Sequence, residues 1–233
     1  METSISNYSS FGNRDTNEDS VRVIKNQNSV FAVIADGLGG MESGELASEI
    51  TLKAFLSKFN TRHFSDKEMI SATYRANSAV RECQSENAAM CSTLAALWLK
   101  KNKALVCYVG DTRIYQIRDG RIVYQSVDHS VSQLAVLMGE ISPDEIRNHK
   151  DRNKLVRAVG ADIDIKPQID TLRVRAEDAF LICSDGFWEN IIESDIIKLR
   201  GTCIDANEWL SDMREQITNI ANDNNSAVAI IVK

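Results

Sequence analysis

The chain has 233 residues, of which 43% are hydrophobic and 26% charged, and its formal net charge is −6. This composition is typical of a soluble globular protein, and dispersed lysines and arginines in an acidic chain argue against nucleic acid as a partner. There is no apolar run long enough to span a membrane and no signal-peptide pattern at the N-terminus. We therefore expect a cytoplasmic protein with no membrane partner.

The five cysteines and three histidines do not have the spacing of a zinc site. No Cys-x-x-Cys pair occurs, and His63, His129 and His149 are far apart. We expect reduced, mostly buried thiols and a metal site, if any, that uses other ligands.

The first third of the chain predicts two strands followed by two helices. They cover residues 20–25, 30–35, 43–59 and about 66–88. The second helix begins at a capping box formed by Ser65 and Glu68. The first helix is amphipathic and is expected to bury Leu46, Ile50, Ala54 and Leu56.

The rest of the chain predicts an antiparallel meander followed by mixed elements. Strand patterns cover 92–99, 103–109, 112–118 and 121–126. A capping box with proline at the first helical position, Ser142 to Glu145, predicts a short helix at 143–149. Strands at 167–174 and 179–184, helices at about 194–199 and 205–221, and a final strand "SAVAIIVK" complete the chain. Long helices among antiparallel strands favour a single α+β domain.

Three Asp-Gly pairs occur in two different settings. Around Asp119-Gly120 both flanks alternate polar and apolar residues, which is typical of a hairpin with a type I′ turn. Asp36 and Asp185 instead follow continuous apolar runs, with no matching strand directly afterwards. A turn is the simpler interpretation, but a carboxylate at the mouth of a buried strand is costly unless a cation meets it. Two such positions indicate a metal.

Further acids lie at the ends of other strand patterns: Glu18, Asp19, Asp111 and Asp223. Each alone is more often a turn former or a solvated cap, whereas together they predict an all-oxygen site for Mg²⁺ or Mn²⁺. Arg14, just before the Glu18-Asp19 pair, has two interpretations. Its guanidinium either forms a surface ion pair or binds two oxygens of a phosphate.

The glycines after Asp36 do not have the spacing of a nucleotide-binding loop. Their simpler role is to let the backbone turn sharply, so that the Gly37 carbonyl can approach a metal closely.

Together these motifs resemble the metal-dependent serine/threonine phosphatases of the PPM, or type 2C, family, and its small bacterial members in particular. The match runs in order through nearly the whole chain, in "GNRDTNEDS", "VIADGLGGMESGELAS", "STLAALWL", "YVGDTRIYQIRDGRI", "SVDHS", "GEISPDEIRNHKDRNKLVRAVG", "FLICSDGFWE" and "DNNSAVAIIV". The resemblance implies a four-layer αββα sandwich of two antiparallel sheets flanked by helices. It also implies one catalytic domain over 1–233 with a flap subdomain at about 131–160.

The resemblance implies two Mn²⁺ or Mg²⁺ ions, with a weaker third in many members. The first ion would be bound by Asp36 and the Gly37 carbonyl, and the second by Asp36, Asp185 and Asp223. The catalytic candidates are Arg14, Asp36 and Asp185. Loss of Asp36 or Asp185 should abolish turnover, whereas loss of Arg14 should mainly weaken substrate capture.

The other site candidates also take their roles from the resemblance. Glu18 and Asp19 would act through metal-bound water, Asp111 would bind the third ion with Asp185, and Arg14 would clamp the substrate phosphate. The implied reaction is hydrolysis of protein phosphoserine and phosphothreonine by direct attack of a metal-bridging hydroxide. The expected partners are phosphorylated proteins made by a cognate Ser/Thr kinase.

One position departs from the family pattern. Leu38 occupies the place of a histidine that many eukaryotic relatives use to protonate the leaving group, and leucine cannot act as an acid. Metal-bound water is our hypothesis for that role, and His129 is expected to have a structural hydrogen-bonding role instead.

The predicted flap contains a basic stretch with Lys150, Arg152, Lys154 and Arg157. These charges either steer a phosphorylated segment towards the metals or are simply solvated.

Two rival functions remain open on the sequence. One is a phosphoesterase for a small molecule or a regulatory phosphoprotein, because the same metals would serve it. The other is a non-catalytic scaffold with the same fold, which predicts the loss of metal ligands. With no heptad or large apolar stripe, we expect a monomer.

Overall fold

The computed structural model describes residues 2–39, 43–60, 63–84 and 90–233. The strands are β1 (Thr3–Ser10), β2 (Asp19–Asn26), β3 (Ser29–Leu38), β4 (Cys91–Ser92), β5 (Leu94–Lys100), β6 (Lys103–Val109), β7 (Arg113–Arg118), β8 (Arg121–Gln125), β9 (Gln168–Arg173), β10 (Ala179–Cys183) and β11 (Asn225–Val232). The helices are α1 (Ser43–Leu56), α2 (Asp66–Cys83), α3 (Val131–Leu137), α4 (Asp185–Trp188), α5 (Glu193–Thr202) and α6 (Ala206–Ile217), with a 3₁₀ helix at Pro143–Asn148.

The strands form two antiparallel sheets that pack face to face. One has the order β1-β11-β10-β7-β8, and the other β2-β3-β5-β6-β9, with β4 pairing with the end of β3. Helices α1 and α2 cover the outer face of the second sheet, and α4 to α6 cover that of the first. The predicted four-layer α+β sandwich is confirmed.

The continuous apolar runs are explained by burial on both faces of each sheet. In β3, Phe31 and Val33 point towards the helices, whereas Val30 and Ile34 point into the core between the sheets. A strand covered on both sides has no polar face, so the usual alternation disappears. This explains why Val30 to Ala35 appears in the sequence as an unbroken apolar segment.

The predicted inward face of α1 is wrong at Leu46, which is 47% exposed. Residues Ile50, Ala54 and Leu56 are only partly buried against the core. The buried residues are Gly44, Ala47, Ser48, Thr51, Leu52 and Phe55. Hydrophobicity alone did not predict the buried face of α1, because a polar residue, Ser48, faces inward. Its hydroxyl lies 3.0 Å from the Ser20 hydroxyl on β2 and donates to the Glu45 carbonyl.

Several boundaries and elements differ from the predictions. Strand β1, with the polar sequence "TSISNYSS", was not predicted, although it pairs with β11 along its full length. Helices α3 and α4 were also missed, α1 ends at Leu56, and the predicted end of the second helix at 88 lies outside the described residues. The type I′ hairpin fits, since both Asp119 and Gly120 have positive φ.

Most of the thiols are buried, as predicted. Cys107, Cys183 and Cys203 are buried, Cys91 is partly buried and Cys83 is exposed. Among the described residues, we find no helix whose length and apolar character would suit a membrane span.

The topology brings the acid-bearing strand ends together. Antiparallel pairing sets Asp19 at the start of β2 directly opposite Asp36 near the end of β3. The end of β10 pairs with the start regions of both β7 and β11. Asp111, Asp185 and Asp223 therefore flank the same end of the sandwich.

Candidate active site

A cavity of about 150 Å³ opens at this end of the sandwich. It is lined by Arg14, Glu18, Asp36, Gly37, Leu38, Gly39, Asp111, Asn153, Leu155, Asp185, Asp223 and Asn224. Five of these residues are acids and one is a cation. All the predicted site residues except Asp19 line the cavity.

Asp36 is fixed by backbone contacts on both sides. Its N–H donates to the Thr93 hydroxyl at 2.9 Å, and its carbonyl accepts from the Thr93 N–H at 2.7 Å. The Ser92 hydroxyl donates to the same carbonyl at 3.0 Å. With the backbone satisfied in this way, the Asp36 carboxylate is free to face the cavity, where it lies within hydrogen-bond reach of Asp185.

Glycines allow the chain to pack closely beneath Glu18. A Cβ at Gly37 would collide with the Gly44 carbonyl, and a Cβ at Gly44 would collide with the Glu18 carboxylate. The Gly37 N–H donates to the Glu18 carbonyl at 3.0 Å, which joins the two segments. Glycine at 37 is therefore required by the close approach of β3 to the start of α1.

Asp19 lies behind the cavity rather than on its wall. Its Oδ2 accepts from the Ser184 hydroxyl at 2.8 Å, while its buried Oδ1 has no hydrogen-bond partner. Burial raises the pKa of Asp19 to about 6, although hydrogen bonds from Ser226 and Ser184 oppose this.

Asp111 lies in a turn that is stabilised by two buried side chains, His129 and Trp188. Gly110 has φ +101°, and its N–H donates to Nδ1 of His129 at 3.2 Å. The Asp111 carbonyl accepts from Nε1 of Trp188 at 3.0 Å. Positive φ favours glycine at 110, and the two ring contacts fix the direction in which the Asp111 side chain leaves the turn.

Asp185 and Asp223 meet at the start of α4. A Cβ at Gly186 would collide with the Asn224 carbonyl, so only glycine permits this approach. The Asn224 side chain accepts from the Glu18 N–H at 2.9 Å and donates to the carbonyls of Phe11 and Thr16. Asn224 thereby ties the loop before β2 to the start of β11.

Arg14 lies at the mouth of the cavity and is paired with an acid. Its Nη2 is 2.8 Å from Oδ2 of Asp223, and its side chain is 57% exposed. The guanidinium thus forms the ion pair that the sequence offered as one interpretation. Nη2 is the only guanidinium atom in this contact, so the rest of the fork can still meet a phosphate at the mouth.

Burial and repulsion between carboxylates raise the pKa values of three acids in the cavity, Asp36, Asp111 and Asp185. Burial raises the pKa of Asp36 well above its ordinary value, and the charges of Asp185, Asp19 and Asp111 raise it further. Burial followed by the charge of Asp185 does the same to Asp111. For Asp185, burial and then the charge of Asp223 raise the pKa to about 7. The cluster carries more negative charge than its own residues neutralise.

The donor set fits hard divalent cations. All the acidic groups that face the cavity present oxygen, the donor that Mg²⁺ and Mn²⁺ prefer. Among the described residues, no three His, Cys, Asp or Glu side chains are grouped tightly enough to hold an ion by themselves. Ions bound here would therefore need backbone or water oxygens to complete their coordination, which suits Mg²⁺ because it retains several waters.

The predicted flap borders the cavity through Asn153 and Leu155. Two of its four basic residues are neutralised nearby, since Arg152 pairs with Glu189 at 3.0 Å and Lys154 pairs with Asp151 at 2.7 Å. The segment predicted to be a flap is joined to α5 and the preceding turn by Arg147, which donates to Glu193 and to the Ile191 carbonyl.

His129 lies outside the acid cavity. Its ring stacks on Tyr108 with centroids 5.3 Å apart, and burial followed by the charge of Arg157 lowers its pKa to about 4. It is therefore neutral at physiological pH and braces Gly110, which agrees with the structural role expected from the sequence.

Sequence reasoning missed several supporting residues. Asn153, Leu155, Trp188 and Asn224 have no acidic side chain and were not singled out. Only Asn224 carried a usable signal, because it directly follows Asp223 in the turn before an apolar strand.

Comparison with known proteins places this site in a family. The family model described as Protein phosphatase 2C matches residues 8–226. The serine/threonine protein phosphatase PstP of Mycobacterium tuberculosis is 30% identical over 189 residues, which cover 74% of this chain but only 35% of PstP. The match thus spans about a third of that relative.

Solved structures agree over the whole fold. The PPM Ser-Thr phosphatase MsPP of Mycobacterium smegmatis, solved in complex with cacodylate, is 29% identical, with a TM-score of 0.86 over 99% of this chain and 98% of its own. The catalytic domain of PstP, solved in complex with two manganese ions, is 26% identical, with a TM-score of 0.83 over 99% of both chains. The predicted family is confirmed. With its sandwich fold, its acidic cavity and a family match that covers most of its length, the chain belongs to the protein phosphatase 2C family.

Proposed function

We propose that the chain is a metal-dependent protein serine/threonine phosphatase. The observation that carries the proposal is the convergence of five acids and Arg14 on one cavity at the end of the sandwich. The names of PstP and MsPP support the same activity. Its substrates would be phosphoproteins made in the cytoplasm by a cognate Ser/Thr kinase.

The cavity would hold two Mn²⁺ or Mg²⁺ ions, with a weaker third. Asp36, the Gly37 carbonyl, Asp185 and Asp223 would hold the first two, and Asp111 with Asp185 the third. Glu18 and Asp19 would act through water. When bound, such ions lower the pKa of water and neutralise charge on a phosphoryl group.

The chain's own residues would position the substrate. Arg14 lies at the mouth, where its guanidinium can exchange part of its contact with Asp223 for two oxygens of a phosphate. Leu38 and Leu155 line the cavity and would present apolar surface beside the phosphoryl group. Among the described residues, no cysteine, serine or histidine lines the cavity. This lining gives no support to a phosphothiol, phosphoserine or phosphohistidine intermediate, and the reaction that we propose is direct hydrolysis.

Hydrolysis of p-nitrophenyl phosphate and of a phosphothreonine peptide tests the proposal. We would compare the wild type with Asp36→Asn in Mn²⁺, in Mg²⁺ and in EDTA. The wild type should need metal for both substrates. Asp36→Asn should lose at least about a thousandfold in kcat, since several kcal/mol of charge stabilisation depend on the ions.

The matched control is Asp66→Asn, which removes one exposed carboxylate at the start of α2. The asparagine side-chain oxygen can still accept the hydrogen bond from the Lys67 N–H. The activity of this variant should equal that of the wild type. A folded, metal-loaded wild type that is inert on both substrates would favour the scaffold alternative. Activity on p-nitrophenyl phosphate alone would favour a phosphoesterase for small molecules.

A further inference from the structure

A second and larger cavity, of about 480 Å³, lies beside the acid cavity. Its volume is in the range of cavities that bind ligands. Its rim carries four exposed apolar side chains, namely Val127, Leu134, Leu137 and Val156. Its wall includes His129 and Arg157.

One short segment separates the two cavities. Asn153 and Leu155 line the acid cavity, whereas the next two residues, Val156 and Arg157, line the larger one. The segment is fixed against residues 129–131, since the Val156 N–H donates to the His129 carbonyl at 2.8 Å. A polypeptide with its phosphorylated residue in the acid cavity can therefore extend over this segment into the larger cavity.

The tautomer of His129 follows from its contacts. The Gly110 N–H is a fixed donor, so Nδ1 of His129 must accept and carries no proton. The neutral ring then has its proton on Nε2. That atom is 3.4 Å from Nη1 of Arg157, which can only donate. Two donors therefore face each other, and His129 is only 9% exposed. In the described part of the chain, no acceptor bridges them.

Arg157 has no acidic partner in the described part of the chain. Its other polar contact is the Lys166 carbonyl at 3.5 Å. The two acids in the cavity wall have other partners: Asp128 binds Arg113, and Asp170 accepts from the Tyr124 hydroxyl at 2.8 Å and from Gln168 at 3.3 Å. Arg157 and His129 are therefore suited to share an oxyanion.

We propose that the larger cavity is a substrate subsite that binds the carboxylate of an aspartate or glutamate near the phosphorylated residue, between Arg157 and Nε2 of His129. An apolar neighbour of that acidic residue would pack on the rim of Val127, Leu134, Leu137 and Val156. This proposal rests on the proposed phosphatase function, because it describes how the same site selects its phosphoprotein.

The test is a panel of phosphothreonine peptides in which one glutamate is moved through the flanking positions of an otherwise alanine-rich sequence. The wild type should prefer glutamate at one position by about tenfold in kcat/KM, the size expected for a charge-assisted hydrogen bond. Arg157→Gln should abolish that preference and leave p-nitrophenyl phosphate turnover unchanged. Arg22→Gln, which removes an exposed charge on β2, should behave as the wild type.

A charge reversal keeps the proposal testable if Arg157→Gln is unstable. Arg157→Glu should prefer lysine over glutamate at the same peptide position. A peptide with phosphoserine in place of the glutamate distinguishes a carboxylate site from a general oxyanion site. The proposal is overturned if the wild type has no position-dependent preference for glutamate, if phosphoserine is preferred there, or if Arg157→Gln slows p-nitrophenyl phosphate hydrolysis equally. A wild type inert on every substrate would instead reject the proposed function.

Discussion

Replacing Asp185 by asparagine should stabilise the metal-free protein while abolishing its activity. Burial and the charges of Asp223 and Glu189 raise the pKa of Asp185 to about 7, against about 3.9 for an unperturbed aspartate. The folded state therefore binds this proton more tightly than the unfolded state does. The stability that the group contributes is fully present below about pH 4 and is lost as the pH rises through about 7.

The size of the effect follows from the same pKa values. A difference of about three between folded and unfolded pKa corresponds to ~4 kcal/mol at a pH well above 7. Asp185 keeps some contact with the cavity, so water screens part of the repulsion, and we expect a gain of ~2–4 kcal/mol for Asp185→Asn. The amide oxygen can still accept from the Gly186 N–H, which lies 2.6 Å from Oδ1 in the wild type.

Urea denaturation in EDTA, at about pH 8 and about pH 5, measures this prediction. At the higher pH, Asp185→Asn should have the larger free energy of unfolding. At the lower pH the gain should fall to about a third of its size at the higher pH, because the carboxyl is then protonated in the folded state but still largely ionised in the unfolded state. With saturating Mn²⁺ the order should reverse. Glu140→Gln, an exposed carboxyl, should change nothing, and an equal gain at both pH values would refute the electrostatic reasoning.

Three further predictions concern the supports of the site. Trp188→Phe removes the donor to the buried Asp111 carbonyl and should cost ~1–3 kcal/mol in urea denaturation; a negligible loss would contradict this role. Arg113→Met leaves Asp128 buried and unpaired and should cost ~3–5 kcal/mol. The companion replacement of Asp128 by leucine should recover much of that loss. Leu38→Ala should keep the shape of the pH–rate profile, without the ~100-fold loss in kcat that follows removal of a general acid.

The fold was largely predictable because its signals are local. The apolar runs that end at Asp36 and Cys183, the capping box at Ser142 and the hairpin at Asp119 each specify their element through a few neighbouring residues. Strand β1 was not predictable in this way. This polar strand is stabilised by pairing with β11, which lies more than 200 residues away in the chain. No local sequence pattern indicates that pairing.

The candidate site was also predictable only in part. Acids at strand ends could be predicted to meet, because antiparallel pairing brings such ends to one edge of a sandwich. What the sequence could not supply is the contacts among side chains: Arg14 pairs with Asp223, and His129 accepts from Gly110. The second contact fixes the proton of His129 on Nε2 and so directs one donor towards Arg157. The substrate preference that we propose depends on that single proton position, which only the three-dimensional arrangement defines.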